Sequence, residues 1–328
     1  MSATLLRVED LHVHFRVRRG MLGRATLLRA LDGVDFEVEE GASVGIVGES
    51  GCGKSTLGRA ILRLVDPAQG RLHWRNRRYD DLEGPALRSI RRELQVVFQD
   101  PFGSLDPRMT AGDSVAEAVE ALGEGDARRN ARALAEAAFA RVGLDPALVR
   151  RYPHELSGGQ CQRVAIARAT VVQPRLLVCD EAVSALDVSV QAQVVNLLAG
   201  MARDGGMGLL FISHNLAVVR HLCDSVLVLY LGRLVEQSGR EAFFARPLHP
   251  YSRALLAAVP DPGQARSQAR LVVPGEAPSP LDPPGGCAFH TRCPFATGIC
   301  TLRRPVLEAA GEGRRVACHR WRELASQA

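Results

Sequence analysis

The run Gly48-Glu-Ser-Gly-Cys-Gly-Lys-Ser-Thr56 constrains this chain more than any other feature. It fits the spacing G-x-x-x-x-G-K-[ST]. The apolar stretch Ala42–Val47 precedes it, and Leu57–Val65 follows with helical spacing up to Asp66-Pro67. A strand that turns through glycines into a helix presents consecutive backbone N–H groups to an anion, and the helix N-terminus adds partial positive charge. The pattern therefore predicts a triphosphate cradle at Gly48, Glu49, Ser50, Gly51, Cys52, Gly53, Lys54, Ser55 and Thr56. Lys54 would reach the terminal phosphates and Ser55 would ligate Mg²⁺. Of the 41 basic residues, Lys54 is the one lysine and the rest are arginine. A compact ammonium enters a phosphate nest that a planar guanidinium does not, so the exception falls where the chemistry asks for it.

The rest of the chain reads as alternating strands and helices. Residues 5–15 and 34–40 alternate, residues 94–98, 176–179, 208–213 and 225–230 are short apolar runs, and Arg16–Arg24 reads as a loop. Residues 110–150 are rich in Ala, Glu, Leu and Arg and read as helical. This order predicts an α/β fold with a largely parallel sheet and a helical insertion at about 105–170. Pro, Gly and Ser dominate from Val259 to Gly286, which predicts a linker or irregular tail. A hydrophobic content of 46% and a charged content of 23% suit a globular protein, and no apolar run is long enough to span a bilayer. The first ten residues make a poor secretory signal, so the expected compartment is the cytoplasm. A net charge of +5 calls for no anionic partner. The basic runs Arg75–Arg78 and Arg88–Arg92 read as solvated faces rather than a nucleic-acid site.

Two further motifs carry chemistry. Leu176-Leu-Val-Cys-Asp-Glu181 delivers two carboxylates at the C-terminal end of a strand, where ligands bind in open α/β sheets. Asp180 would hold Mg²⁺ and Glu181 would polarise the attacking water. Leu156-Ser-Gly-Gly-Gln160 precedes the amphipathic stretch Cys161–Thr170 and makes a second anion site at a helix start. One nucleotide needs one cradle, so the second points to a neighbouring molecule.

With these motifs in this order, the chain resembles the ATP-binding cassette family over roughly residues 5–260. Gln99 in Phe-Gln-Asp-Pro, Ser184-Ala-Leu-Asp187 and His214 in Ile-Ser-His-Asn complete the set. The resemblance implies a P-loop NTPase core joined by an antiparallel β subdomain and an inserted α-helical subdomain, with residues 1–260 as the ATPase. It implies a head-to-tail pair of cassettes in which Ser157, Gly158, Gly159 and Gln160 meet the partner's ATP. Glu181 then serves as base, His214 as the γ-phosphate switch, Gln99 as a Mg²⁺ and membrane-partner sensor, Asp187 as a dimer contact, and Phe15 as the adenine-stacking ring. Cys161 stands where the family usually has Arg, Lys or Gln, and Ala182 where Pro is frequent.

The phrases Phe98–Met109, Arg246–Leu256 and Gly286–Phe295 resemble the oligopeptide and dipeptide importer branch. The resemblance implies a second, different ATPase subunit (or a second copy), two transmembrane permeases and, indirectly, an extracytoplasmic binding protein. It implies a peripheral position on the cytoplasmic face. A sister branch moves nickel or glutathione, and non-transport members act on nucleic acid or ribosomes. Against the repair and chromosome members, Lys54 and Ser157 lie only 103 positions apart, without sustained heptads. The extension at 261–328 carries Cys287, Cys293, Cys300 and Cys318, whose spacing fits neither common zinc nor ferredoxin patterns. The resemblance favours a [4Fe–4S] cluster there, with zinc as the alternative.

Overall fold

The computed structural model describes residues 3–18, 25–258 and 275–326. Its strands are β1 (Thr4–Arg18), β2 (Ala25–Glu39), β3 (Ser43–Val47), β4 (Gln69–Trp74), β5 (Arg77–Arg78), β6 (Leu94–Val97), β7 (Leu176–Asp180), β8 (Gly208–Ile212), β9 (Ser225–Tyr230), β10 (Arg233–Gly239), β11 (Glu308–Ala309) and β12 (Arg315–Val316). The chain forms two compact units, and β1, β2 and β4 each run through both.

One unit holds residues 1–7, 37–43 and 73–212. Here β6, β7 and β8 lie parallel, with Leu94 opposite Leu176 and Asp180 opposite Ile212. Every residue of β7 and β8 is buried, as expected of parallel strands covered on both faces. The predicted helical stretch is Ala111–Leu122, Gly125–Arg129, Ala131–Arg141 and the 3₁₀ turn Pro146–Arg150. Thr110 caps the first of these by accepting the Asp113 N–H at 3.1 Å. Val115 and Val119 of that helix and Ala135, Ala138 and Phe139 of the helix Ala131–Arg141 are buried where the two pack together. The basic runs are paired and largely exposed: Arg75 with Glu40, Arg78 with Asp80, Arg92 with Glu124.

The other unit holds residues 8–36, 44–72 and 213–328. Its β3 and β9 are parallel, with Val44 opposite Ser225 and Val47 opposite Val228. Beyond them β10 pairs antiparallel with β9, and the tail strand β12 pairs antiparallel with β10, Glu236 opposite Val316. The end of the chain, beyond the expected linker, is thus stitched into the sheet. Arg314 donates to the buried Glu236 carboxylate at 3.2 Å and to the Ser238 hydroxyl at 3.1 Å. Glu236 also accepts the Leu248 and His249 N–H groups at 2.9 and 2.8 Å. A buried carboxylate is tolerable only when partnered in this way.

Three expected boundaries moved. The first strand runs on to Arg18, three residues into the expected loop, and residues 19–24 lie outside the described residues. The second begins at Ala25, well before the alternation becomes visible at residue 34. The helix after the glycine loop is Lys54–Ile61 rather than 57–65: it begins inside the loop, and Arg63 sits at φ +53°, outside helical space. Most of the expected linker, 259–274, lies outside the described residues.

Candidate functional site

The glycine loop is held in its unit by geometry that side chains would spoil. Gly53 caps the helix Lys54–Ile61 at φ +108°, and a Cβ there would lie 2.5 Å from the Ala30 carbonyl oxygen. Lys54 is 5% exposed and curls back over the loop, donating to the carbonyls of Gly48 at 2.7 Å and Glu49 at 2.9 Å. Those two bonds engage two of the ammonium's three donors and tie it to the loop backbone. Cys52 is buried in the loop, and burial pushes its thiol above the ordinary range against the pull of Lys54. Ser55 and Thr56 are half-buried on the first helical turn. In the same unit, Phe15 is a 37% exposed ring on β1. His214 is exposed and follows Ser213, whose N–H donates to the Ile46 carbonyl at 3.1 Å. Asn215 then accepts the Ala217 N–H at 3.0 Å and starts the helix Leu216–Leu222.

In the other unit, Asp180 is buried at the C-terminal end of β7 and Glu181 follows, half-buried. Glu181 has φ +50°, an uncommon conformation for a residue with a side chain, and one found at functional positions. Its N–H donates to the Ile212 carbonyl at 3.0 Å, and its carbonyl accepts the Ser184 hydroxyl at 2.9 Å. Ala182 is buried, so the missing proline leaves a packed position. Gln99 is exposed after β6. Ser157 caps the helix Gly158–Thr170 in a reciprocal box: its hydroxyl accepts the Gln160 N–H at 3.3 Å, and the Gln160 side chain accepts the Ser157 N–H at 2.9 Å. Gly159 packs so tightly that a Cβ would meet Val190 at 2.5 Å, whereas the nearest atom to a Cβ on Gly158 is 3.9 Å away. Cys161 is fully buried with its thiol against the Pro153 carbonyl and is pushed up to about 11 by burial. A long polar side chain would not fit that position in this packing. Asp187 precedes the helix Val188–Gly205 without capping it through its side chain, and Val188 beside it is 85% exposed.

The four tail cysteines line one small pocket together with His249, Phe289, His290 and His319. Burial pushes Cys287 to about 11 and Cys318 to about 12, and raises Cys293 as well. Among the described residues, the trio of metal-capable atoms within 4.8 Å of one another is His12, His14 and Asp32, not a trio of these thiols. Arg233 and Arg304 both approach the Asp32 carboxylate, which sets positive charge against any cation there.

One feature of the loop had no signal in the sequence. The Glu49 carboxylate is gripped by both terminal nitrogens of Arg292, at 2.8 and 3.0 Å, and the Glu49 N–H donates to the Tyr251 hydroxyl at 2.7 Å. These partners lie 243 and 202 positions away, and no spacing rule connects them.

A strand, a lysine-bearing glycine loop and a helix, with a strand-end acidic pair and a second capped glycine helix start, define a nucleotide-hydrolysing P-loop fold. Known proteins narrow the class. The family model "ABC transporter" matches residues 31–184, and "Oligopeptide/dipeptide transporter, C-terminal region" matches residues 235–300. The chain is 49% identical to the "Probable peptide ABC transporter ATP-binding protein y4tS" of Sinorhizobium fredii, over 97% of this chain and 90% of that protein. It is 47% identical to the oligopeptide transport ATP-binding protein OppF of Escherichia coli over 93% of each chain. Among solved structures, the ATP-binding cassette MJ0796 in a post-hydrolysis state with ADP and Pi superposes with a TM-score of 0.64 at 26% identity, covering 72% of this chain and 99% of that one. The chain belongs to the ATP-binding proteins of ABC transporters, and its activity is that of an ABC-type, Mg²⁺-dependent ATPase. Among the described residues, no helix is long and apolar enough to cross a membrane.

Proposed function

We propose that this chain powers the uptake of di- and oligopeptides, as a peripheral subunit on the cytoplasmic face of an importer with two permeases and an extracytoplasmic binding protein. One observation carries the reading: the cassette motifs share a chain with a C-terminal region matching that of oligopeptide and dipeptide transporters. Residues 1–260 form the ATPase and 261–328 the extension. In the cassette, Gly48–Thr56 cradles the phosphates, with Lys54 on the terminal pair and Phe15 against the adenine. Ser55, Asp180 and Gln99 hold Mg²⁺. Glu181 orients and deprotonates the attacking water, and His214 contacts the γ-phosphate. Ser157–Gln160 addresses the ATP of a partner cassette, and Asp187 meets that partner. The partner is a second, different ATPase subunit.

Cys287, Cys293, Cys300 and Cys318 would hold a [4Fe–4S] cluster. That all four line one pocket supports a shared ligand, with zinc as the alternative to the cluster. Such a group supplies redox chemistry or structural crosslinking when bound. The chain's own part is to donate four sulfurs from one pocket.

Uptake of a labelled tripeptide tests the function. Cells lacking this chain should lose uptake, the intact chain should restore it, and Lys54→Ala should not. Normal peptide uptake with lost nickel or glutathione uptake would reject the peptide assignment.

A further inference from the structure

Glu49 is held at every polar group it has. Its carboxylate takes two bonds from Arg292, its N–H donates to Tyr251, and its carbonyl accepts from Lys54. Two of these three tethers come from the C-terminal part of the chain. Arg292 is only 8% exposed, and the paired Glu49 carboxylate holds its charge firmly. A shielded, two-pronged arginine–carboxylate pair fixes geometry as well as charge.

The far end of this strut is the cysteine turn. The Arg292 N–H donates to the Phe289 carbonyl at 3.0 Å, and the His290 N–H to the Cys287 carbonyl at 2.9 Å. Cys287 is tied in turn to Cys300, its N–H donating to that carbonyl at 2.8 Å. Phe289 packs its ring against Tyr230, Tyr251 and His249 at centroid distances of 5.3, 5.4 and 5.7 Å. Arg292 thus sits between Cys287 and Cys293 on a turn tied down by these backbone bonds and by the Phe289 ring.

We propose that Arg292 is a positioning residue for the phosphate loop: through Glu49 it fixes the loop to the cysteine turn, so nucleotide binding and the state of that turn are coupled. The pair acts in two ways. It sets the backbone of the loop's second residue, and it offsets a carboxylate that would otherwise repel a triphosphate. Coupling of this kind is reciprocal, so nucleotide must also alter the turn. The proposal rests on Gly48–Thr56 being the ATP loop, which Lys54→Ala tests separately.

The test uses the full chain and a fluorescent ATP analogue with Mg²⁺. Arg292→Met should weaken binding about tenfold, near the low end for coupled sites. It should raise KM for ATP while leaving kcat within about twofold, the signature of lost ground-state binding. Arg292→Lys, which keeps the charge but not the fork, should fall between. In a Glu49→Gln background, Arg292→Met should add little further loss. Backbone amide hydrogen exchange of the turn 287–293, read by peptide mass spectrometry, should change at least twofold on adding nucleotide in the wild type and not in Arg292→Met. Unchanged affinity in Arg292→Met, an equal loss in the Glu49→Gln background, or amide exchange of the turn indifferent to nucleotide in the wild type would each overturn the proposal. If Arg292→Met does not fold, Arg292→Lys carries the same comparisons. Failure of Lys54→Ala to reduce binding would instead indict the loop assignment.

Discussion

Replacing Gly53 by alanine should damage the loop through two separable costs, and a second glycine isolates them. At φ +108° an L side chain is strained, by about 1–2 kcal/mol for left-handed backbone. The new Cβ would also lie 2.5 Å from the Ala30 carbonyl oxygen and 3.1 Å from Leu31 Cδ2. Neither the backbone oxygen nor the buried Leu31 can yield cheaply, so overpacking adds about 1–3 kcal/mol. The sum is about 2–5 kcal/mol. Gly51 shares the positive φ, at +77°, but a Cβ there meets nothing within 4 Å. Gly51→Ala should therefore cost only the backbone part, about 1–2 kcal/mol. Thermal melting of the nucleotide-free variants reads the difference. At about 2–4 °C per kcal/mol for domains of this size, Gly53→Ala should melt roughly 2–12 °C below Gly51→Ala. Binding of the fluorescent nucleotide should fall further in Gly53→Ala, because the displaced backbone is the one that faces phosphate. Equal melting and equal affinity in the two variants would show that the tight approach to Ala30 does not constrain the loop.

Three further outcomes follow from other parts of the structure. Glu181→Gln should lower ATP hydrolysis by about 10²–10⁴, the usual worth of a positioned general base, while trapping a nucleotide-bound dimer detectable by light scattering; normal turnover would remove Glu181 from that role. His249 is buried, and burial lowers it to about 3 from an ordinary 6.5, so it folds neutral. Its stability contribution is complete above pH 6.5 and shrinks as pH falls from there toward 3, reaching a loss of about 2 kcal/mol at pH 5. His249→Asn, which keeps an acceptor for the Tyr251 N–H but does not titrate, should flatten denaturant-measured stability between pH 7 and 5 relative to wild type. An anaerobic preparation should be brown, absorb near 400 nm and carry about four irons per chain, and Cys300→Ser should lose them; colourless protein with tightly held zinc would reject the cluster.

Legibility in the sequence followed the range of the interactions. The phosphate loop, β7 with its acidic pair and the capped signature helix were legible because each is a local device: glycines, a cap and an apolar run within a dozen residues. Capping at Ser157 was readable, but the reason for Gly159 was not, since it lies in the approach of Val190. The loop helix was placed late, because periodicity begins at Leu57 whereas the backbone turns helical at Lys54. The order hidden in the tail had the same origin. Arg314 on Glu236 and Arg292 on Glu49 are pairs between distant residues, and in a chain with so many arginines nothing local marks these two.

Binding of Mg-ATP by the purified full chain, measured calorimetrically beside Lys54→Ala, tests the account at its root. Saturable binding in the intact chain, weakened at least tenfold by removing the one ammonium that bridges Gly48 and Glu49, is the predicted result. Absence of saturable binding, or equal affinity in the two proteins, would contradict it.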